Sequence, residues 1–152
     1  MHTVEEVIFG SNRYEKTVHL RDEVMRKPLG LSIKNDDLSF EKQATVLAVF
    51  DNDQILGTGI LVFEDESTAK VCFLCVKPDL QKSGIGRAII NDIEKRSLQN
   101  GIKKIYLESR LTAMNFYKKL GYTEYGEIQM MKIAPVQHIK MEKILSLQTA
   151  QS

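Results

Sequence analysis

The sequence predicts a mixed α/β domain in which one sheet is covered by helices. Three observations carry that expectation. Short β-branched and aromatic runs recur along the chain, and two stretches place apolar residues at helical spacing. In "VKPDLQKSGIGRAII" (Val76–Ile90), an apolar run gives way abruptly to a helical pattern through a loop holding Gly84 and Gly86. A length of 152 residues fits a single domain over residues 1–152, with a flexible tail over about 146–152.

The elements follow in order. "VEEVIF" reads as the first strand, and Ser11 then offers an N-cap to a helix whose stripe is Tyr14, Val18, Leu20, Val24 and Met25. "RKPLGL" ends that helix, because Pro28 restricts its predecessor and Gly30 permits a turn. "ATVLAVF" and "ILGTGILVF" read as strands joined by the polar hairpin loop "DNDQ", and "AKVCFLCV" as another strand. After the glycine loop, Ile85, Ala88, Ile89 and Ile93 mark a helix that Asn100 and Gly101 stop. "KKIYLES" is a strand, Thr112 caps a helix running to Leu120, and "YTEYGEI" and "HIKMEKIL" are closing strands.

The totals narrow the function classes. Hydrophobic residues are 43% and charged residues 27%, an ordinary globular composition. A net charge of +1 supplies no global field for nucleic acid or an anionic membrane, so neither is an expected partner. No apolar run has the length of a signal peptide or a membrane span, and a cytoplasmic protein is expected. Cys72 and Cys75 form a CxxC inside a strand, where residues three apart point to opposite faces. With no second cysteine pair, buried structural thiols are expected and no metal site.

The glycine loop points to an anion. The first N–H groups of a helix lack intrahelical partners, glycines let loop amides converge, and the helix dipole favours negative charge there. Lys77, Lys82 and Arg87 add local positive charge. A nucleotide-hydrolase P-loop needs Lys and Ser or Thr after its last glycine, but Arg87 and Ala88 follow Gly86. The dinucleotide fingerprint fails because Ile89 holds its third glycine position. Taken alone, the loop reads equally well as a tight turn without a ligand.

Gln81, Lys82, Ser83, Gly84, Ile85 and Gly86 match the pattern Q/R-x-x-G-x-G/A in full. About thirty residues later, "AMNFYKKLGY" (Ala113–Tyr122) matches A-x-x-F-Y-x-K-x-G-F/Y. With these two motifs the sequence resembles the GNAT superfamily of N-acetyltransferases, from about Ala44 to the end. "PVQHIKM" is similar to a segment of small bacterial members. The resemblance implies a central, mostly antiparallel sheet, splayed where acetyl-CoA lies between the strand ending at Val76 and the strand Lys104–Ser109. It implies that the loop from Gln81 to Arg87 holds the pyrophosphate of coenzyme A, and that backbone groups of Leu74, Cys75 and Val76 meet the pantetheine arm and thioester carbonyl.

Tyr117 corresponds to the family's tyrosine beside the sulfur. A phenol near 10 and a thiol near 8.5 differ by about 1.5 units, so full proton transfer is uphill by roughly 2 kcal/mol and a hydrogen bond to the thiolate is the expected role. Its alternative is a helix residue packed on the sheet, a place that Phe116 and Leu120 also suit. The amine must be neutral to attack, so a base is required. Glu108 at a strand end and His138 at the start of the last strand are the candidates, ahead of His2 and His19. Where the family often has an asparagine before the second motif this chain has Arg110, with Asn115 inside the helix as the remaining asparagine contact to the cofactor.

Acceptor choice is expected from about Ser11–Phe40 and Gly126–Gln137, and neither segment selects a substrate class. The leading expectation is transfer of acetyl from acetyl-CoA to a primary amine of a small molecule or peptide, by direct attack in a ternary complex. A non-catalytic acyl-CoA sensor is the alternative, since it keeps the loop but needs neither the tyrosine nor an amine channel. Pairing of the final strands allows a homodimer.

Overall fold

The computed structural model describes residues 2–131 and 136–146. Seven strands form one sheet in the order β1-β2-β3-β4-β5-β7-β6. The strands are β1 (Glu5–Val7), β2 (Thr45–Asp51), β3 (Gln54–Phe63), β4 (Thr68–Val76), β5 (Lys104–Arg110), β6 (Thr123–Met130) and β7 (Gln137–Ile144). The helices are α1 (Asn12–Met25), α2 (Ile85–Gln99) and α3 (Met114–Lys119). All pairings described are antiparallel except β4 with β5, so the mixed α/β sheet expected from the sequence is present. The chain divides into two compact units, residues 1–62 with 72–93, and residues 63–71 with 94–152. The tail expected over residues 146–152 lies, beyond Ser146, outside the described residues.

In the first unit, β1 pairs with β2 and β2 with β3. Asn52 and Asp53 take φ of +49° and +68° in the connecting turn, the left-handed pair that a two-residue hairpin needs. Ser11 caps α1, its Oγ accepting from the Tyr14 amide at 3.1 Å. The buried stripe of α1 is Tyr14, Thr17, Leu20 and Arg21, a set that includes a charge the apolar pattern left out. Three short 3-10 turns then occupy Lys27–Leu29, Ile33–Asn35 and Ser39–Lys42, where the sequence shows no periodicity.

Close approach of α2 to β3 depends on missing side chains. A Cβ on Gly57 would lie 2.7 Å from Ile85 Cγ2, and one on Gly59 would lie 2.9 Å from Ile89 Cγ2. Ile85, Ile89, Ile90 and Ile93 are all buried, so the first half of α2 is seated by this contact. The glycine loop that begins α2 is seated with it.

In the second unit, Thr68–Val71 pairs in parallel with Lys104–Leu107, and β7 lies between β5 and β6. Ile105, Leu107 and Ser109 are buried on one face of β5, with Ile139 and Met141 of β7. Tyr106, Glu108 and Arg110 alternate onto the other face. Thr112 does not cap a helix: it lies in a 3-10 turn, Leu111–Ala113, and the residue before α3 is Ala113, with no side-chain cap. Of the two thiols expected to be buried, Cys75 is buried and Cys72 only partly so. No helix among the described residues is long and apolar enough to cross a membrane.

Candidate active site

The first unit carries the strand–loop–helix motif. β4 ends at Val76, a 3-10 turn covers Pro78–Leu80, and α2 begins at Ile85. Between them Lys82 and Gly84 take φ of +77° and +90°, so alternate residues turn the backbone into a curl that presents amides to one side. The Ser83 amide donates to Leu80 O at 3.1 Å, and the Ala88 amide makes an early helical bond to Gly84 O at 3.0 Å. The N–H groups of Ile85, Gly86 and Arg87 therefore belong to the helix start, which has no preceding turn to accept them. Nothing lies within 4 Å of where a Gly84 Cβ would be, so the backbone is uncovered on that side. Gln81, Lys82, Ser83 and Arg87 are exposed, whereas Ile85 and Gly86 are buried. The donor set of backbone amides, a helix N-terminus and flanking cations suits a diphosphate, so these residues fit the nucleotide end of coenzyme A. His2 also reaches this loop, its Nε2 donating to Ser83 O at 3.2 Å.

Leu74, Cys75 and Val76 form the end of β4, directly after a backbone irregularity. Phe73 takes φ of +52° within the strand, a costly conformation for a bulky residue. The loop is tied to β3 by the Lys77 amide, which donates to Leu56 O at 2.9 Å.

The second unit holds Tyr117, Asn115, Glu108 and His138. Tyr117 is the buried residue of α3, while Phe116 and Leu120 are only partly buried. The Tyr117 ring meets Phe116 edge-on at 5.0 Å and Tyr122 at 6.0 Å between centroids. Tyr122 is anchored beneath it, donating its hydroxyl to Glu94 at 2.9 Å. Glu94 also accepts from Lys143 Nζ at 3.0 and 3.2 Å, and Lys143 donates to Leu120 O at 2.7 Å. Burial first, then the charge of Glu94, pushes the Tyr122 phenol well above the usual range, so it remains a donor. Asn115 is exposed on α3.

The structure brings the two base candidates together. Glu108 pairs with Lys140 and Arg110 with His138, which makes Glu108 and His138 diagonal neighbours on one face of β5 and β7. His138 Nε2 lies 3.0 Å from Glu108 Oε2. Lys70 of β4, which the sequence did not single out, donates to Glu108 Oε1 at 2.8 Å. Burial alone would raise the Glu108 carboxyl. The hydrogen bond and charge of Lys70, helped by His138 and Lys140, outweigh burial and hold it below the usual 4.5. His138 is 8% exposed, so Glu108 is the more open member of the pair. Arg110, where the family motif has asparagine, keeps its Nη2 buried with no hydrogen-bond partner among the described residues. His19 is exposed on α1, 3.0 Å from Glu23. Part of the acceptor segment expected over Gly126–Gln137 is strand β6, and residues 132–135 lie outside the described residues.

Comparison with known proteins places this geometry. A family model described as an acetyltransferase (GNAT) domain matches residues 20–145. An uncharacterized acetyltransferase of Streptococcus pyogenes serotype M1 is 30% identical over 90 residues, which make up 59% of this chain and 63% of that relative. The chain thus matches less than two thirds of that relative's length. A Lactobacillus plantarum protein assigned to the N-acetyltransferases superimposes with a TM-score of 0.81 at 22% identity, covering 95% of this chain and 99% of its own. An aminoglycoside 6′-N-acetyltransferase complexed with coenzyme A superimposes with a TM-score of 0.76 at 17% identity, covering 93% and 96%. At such identities the structural likeness is one of fold, and the matched family model supplies the rest: the chain belongs to the GNAT acetyltransferase family.

Proposed function

We propose that the protein is an acetyl-CoA-dependent N-acetyltransferase acting on a primary amine of a small molecule or peptide. The observation that carries this reading is the exposed curl at Lys82 and Gly84, continuous with the N-terminus of α2. Its amides fit a diphosphate, and the family match makes coenzyme A the diphosphate of choice.

Bound acetyl-CoA supplies a thioester whose acyl carbon an amine nitrogen can take, so that a C–N bond forms, the C–S bond breaks and the thiol leaves. The chain's own residues take the remaining work. The loop from Gln81 to Arg87 holds the cofactor's phosphates, and the backbone of Leu74–Val76 orients its arm and polarises the carbonyl, where an N–H can lower the barrier by roughly 3 kcal/mol. Tyr117 donates a hydrogen bond to the departing sulfur. The amine proton passes to His138, directly or through water, with Glu108 orienting the imidazole. The lowered Glu108 carboxyl is a poor proton acceptor near neutrality and a good orienting partner, which supports that division of roles.

Calorimetry with coenzyme A and thiol release from acetyl-CoA with a panel of primary amines test the reading together. The expected result is binding, turnover with at least one amine, and a fall of roughly a hundredfold in kcat for Tyr117→Phe with acetyl-CoA affinity retained. Binding without turnover on any amine supports a cofactor sensor instead, and absence of binding overturns both.

A further inference from the structure

Phe73, at its left-handed φ, is packed against groups from one segment of the first unit. The Arg21 guanidinium carbon sits 4.4 Å from the centre of its ring and that of Arg26 sits 5.9 Å away, while the Phe40 ring lies at 6.3 Å. Each arginine is fixed in turn. Arg21 Nη1 donates to both oxygens of Glu41 at 3.0 Å, and the Tyr14 hydroxyl donates to the same carboxylate at 2.8 Å. Arg26 donates through Nε and Nη2 to Asp36 at 3.1 and 2.8 Å. Arg21 is 1% exposed and Glu41 0%, so the pair is fully withdrawn from water. Arg21 Nε and Nη2 have no hydrogen-bond partner among the described residues. The aromatic face is what the remainder of that guanidinium meets.

Two features make this more than packing. A buried ion pair is seldom more stabilising than apolar residues of the same volume, so it calls for a positional reason. A bulky residue stays at positive φ only where its surroundings over-determine it, and Phe73 directly precedes Leu74–Val76.

We propose that Arg21, locked by Glu41, is a positioning residue that keeps Phe73 left-handed and thereby sets the backbone of Leu74–Val76 for the acyl-bearing arm of the cofactor. This rests on the function proposed above, and it couples the α1 segment to the thioester strand through one ring. Arg21→Lys is the informative variant, because lysine keeps the charge for Glu41 and loses the planar stack. Two probes separate the ends of the cofactor: acetyl-CoA, and adenosine 3′-phosphate 5′-diphosphate, which lacks the pantetheine arm.

Calorimetry on Arg21→Lys is expected to show acetyl-CoA affinity reduced about fivefold to tenfold, with binding of the nucleotide fragment unchanged. In a Phe73→Gly background, where glycine adopts the left-handed conformation unaided, Arg21→Lys is expected to have no further effect. Arg26→Lys, at the more distant guanidinium, gives the same pattern more weakly and stands in should the Arg21 variant lose its fold. Unchanged acetyl-CoA affinity, an equal loss for both probes, or the same loss in the glycine background overturns the inference alone. A wild-type protein that binds neither probe overturns the cofactor reading and this inference with it.

Discussion

His138 Nε2 and Glu108 Oε2 lie 3.0 Å apart, joined across β5 and β7, and Lys70 occupies the other oxygen of the same carboxylate. A carboxylate that accepts from a lysine ammonium on one oxygen and lies beside an imidazole on the other is stabilised in its charged form, chiefly by the lysine. Because the Glu108 carboxyl lies below its usual 4.5 in the folded protein, folding favours the ionised state. The stability this gives is present above about pH 4.5 and is lost as the pH falls through the lowered folded value. Thermal midpoints of wild type and Glu108→Gln are therefore expected to differ most above that pH and to converge in acid. A gap that stays constant from pH 3 to pH 7 defeats the argument. In turnover, the same variant is expected to lose roughly tenfold to a hundredfold in kcat, because the imidazole keeps its place but loses its orienting charge.

Seating of the glycine loop gives a second expectation. An alanine at position 57 brings a Cβ to 2.7 Å from Ile85 Cγ2 and 3.3 Å from Cys75 O. Ile85 is β-branched and buried, so its methyl cannot swing aside and α2 must move. Gly57→Ala is expected to cost about 1–3 kcal/mol in denaturant unfolding. It is also expected to weaken coenzyme A binding in calorimetry, because the displaced first turn of α2 is the one that ends the loop. Full stability together with full affinity would show that the helix tolerates the methyl without shifting.

Much of this was legible in the sequence, and the failures share a cause. Strand runs, the α2 stripe and the glycine loop are local signals, written in side-chain period and in residues that permit positive φ. Arg21 was missed although it lies seven residues after Tyr14 on the buried face, because a charge is normally taken as solvent-facing until its partner is known. That partner, Glu41, lies twenty residues away in a 3-10 turn without periodicity. The conformation of Phe73 depends on the same distant groups. Glu108 and His138 each carry base chemistry that the sequence shows, but their contact depends on β7, not β6, pairing with β5, which no local pattern encodes. Thr112 has cap chemistry, yet a 3-10 turn inserted before α3 uses its position.

The anchoring of Tyr117 yields the last expectation. Its ring rests edge-on against Tyr122, with the planes at 69°, and Tyr122 is held by Glu94, which Lys143 also grips. Tyr122→Phe removes the hydroxyl but keeps the ring. One hydrogen bond to a charged, buried acceptor is lost, at about 1.5–3 kcal/mol, while Lys143 continues to neutralise Glu94. Tyr117 keeps its neighbour, so kcat is expected to remain within about twofold of wild type. Tyr122→Leu removes the aromatic partner as well, at about 0.5–1.5 kcal/mol for the ring contact, and frees the Tyr117 ring to reorient. Stability is then expected to fall further, and kcat to fall with acetyl-CoA affinity largely kept. Comparing the two variants by unfolding and by steady-state kinetics separates support of the fold from support of the tyrosine, and equal kcat values in both would break the link between Tyr122 and Tyr117.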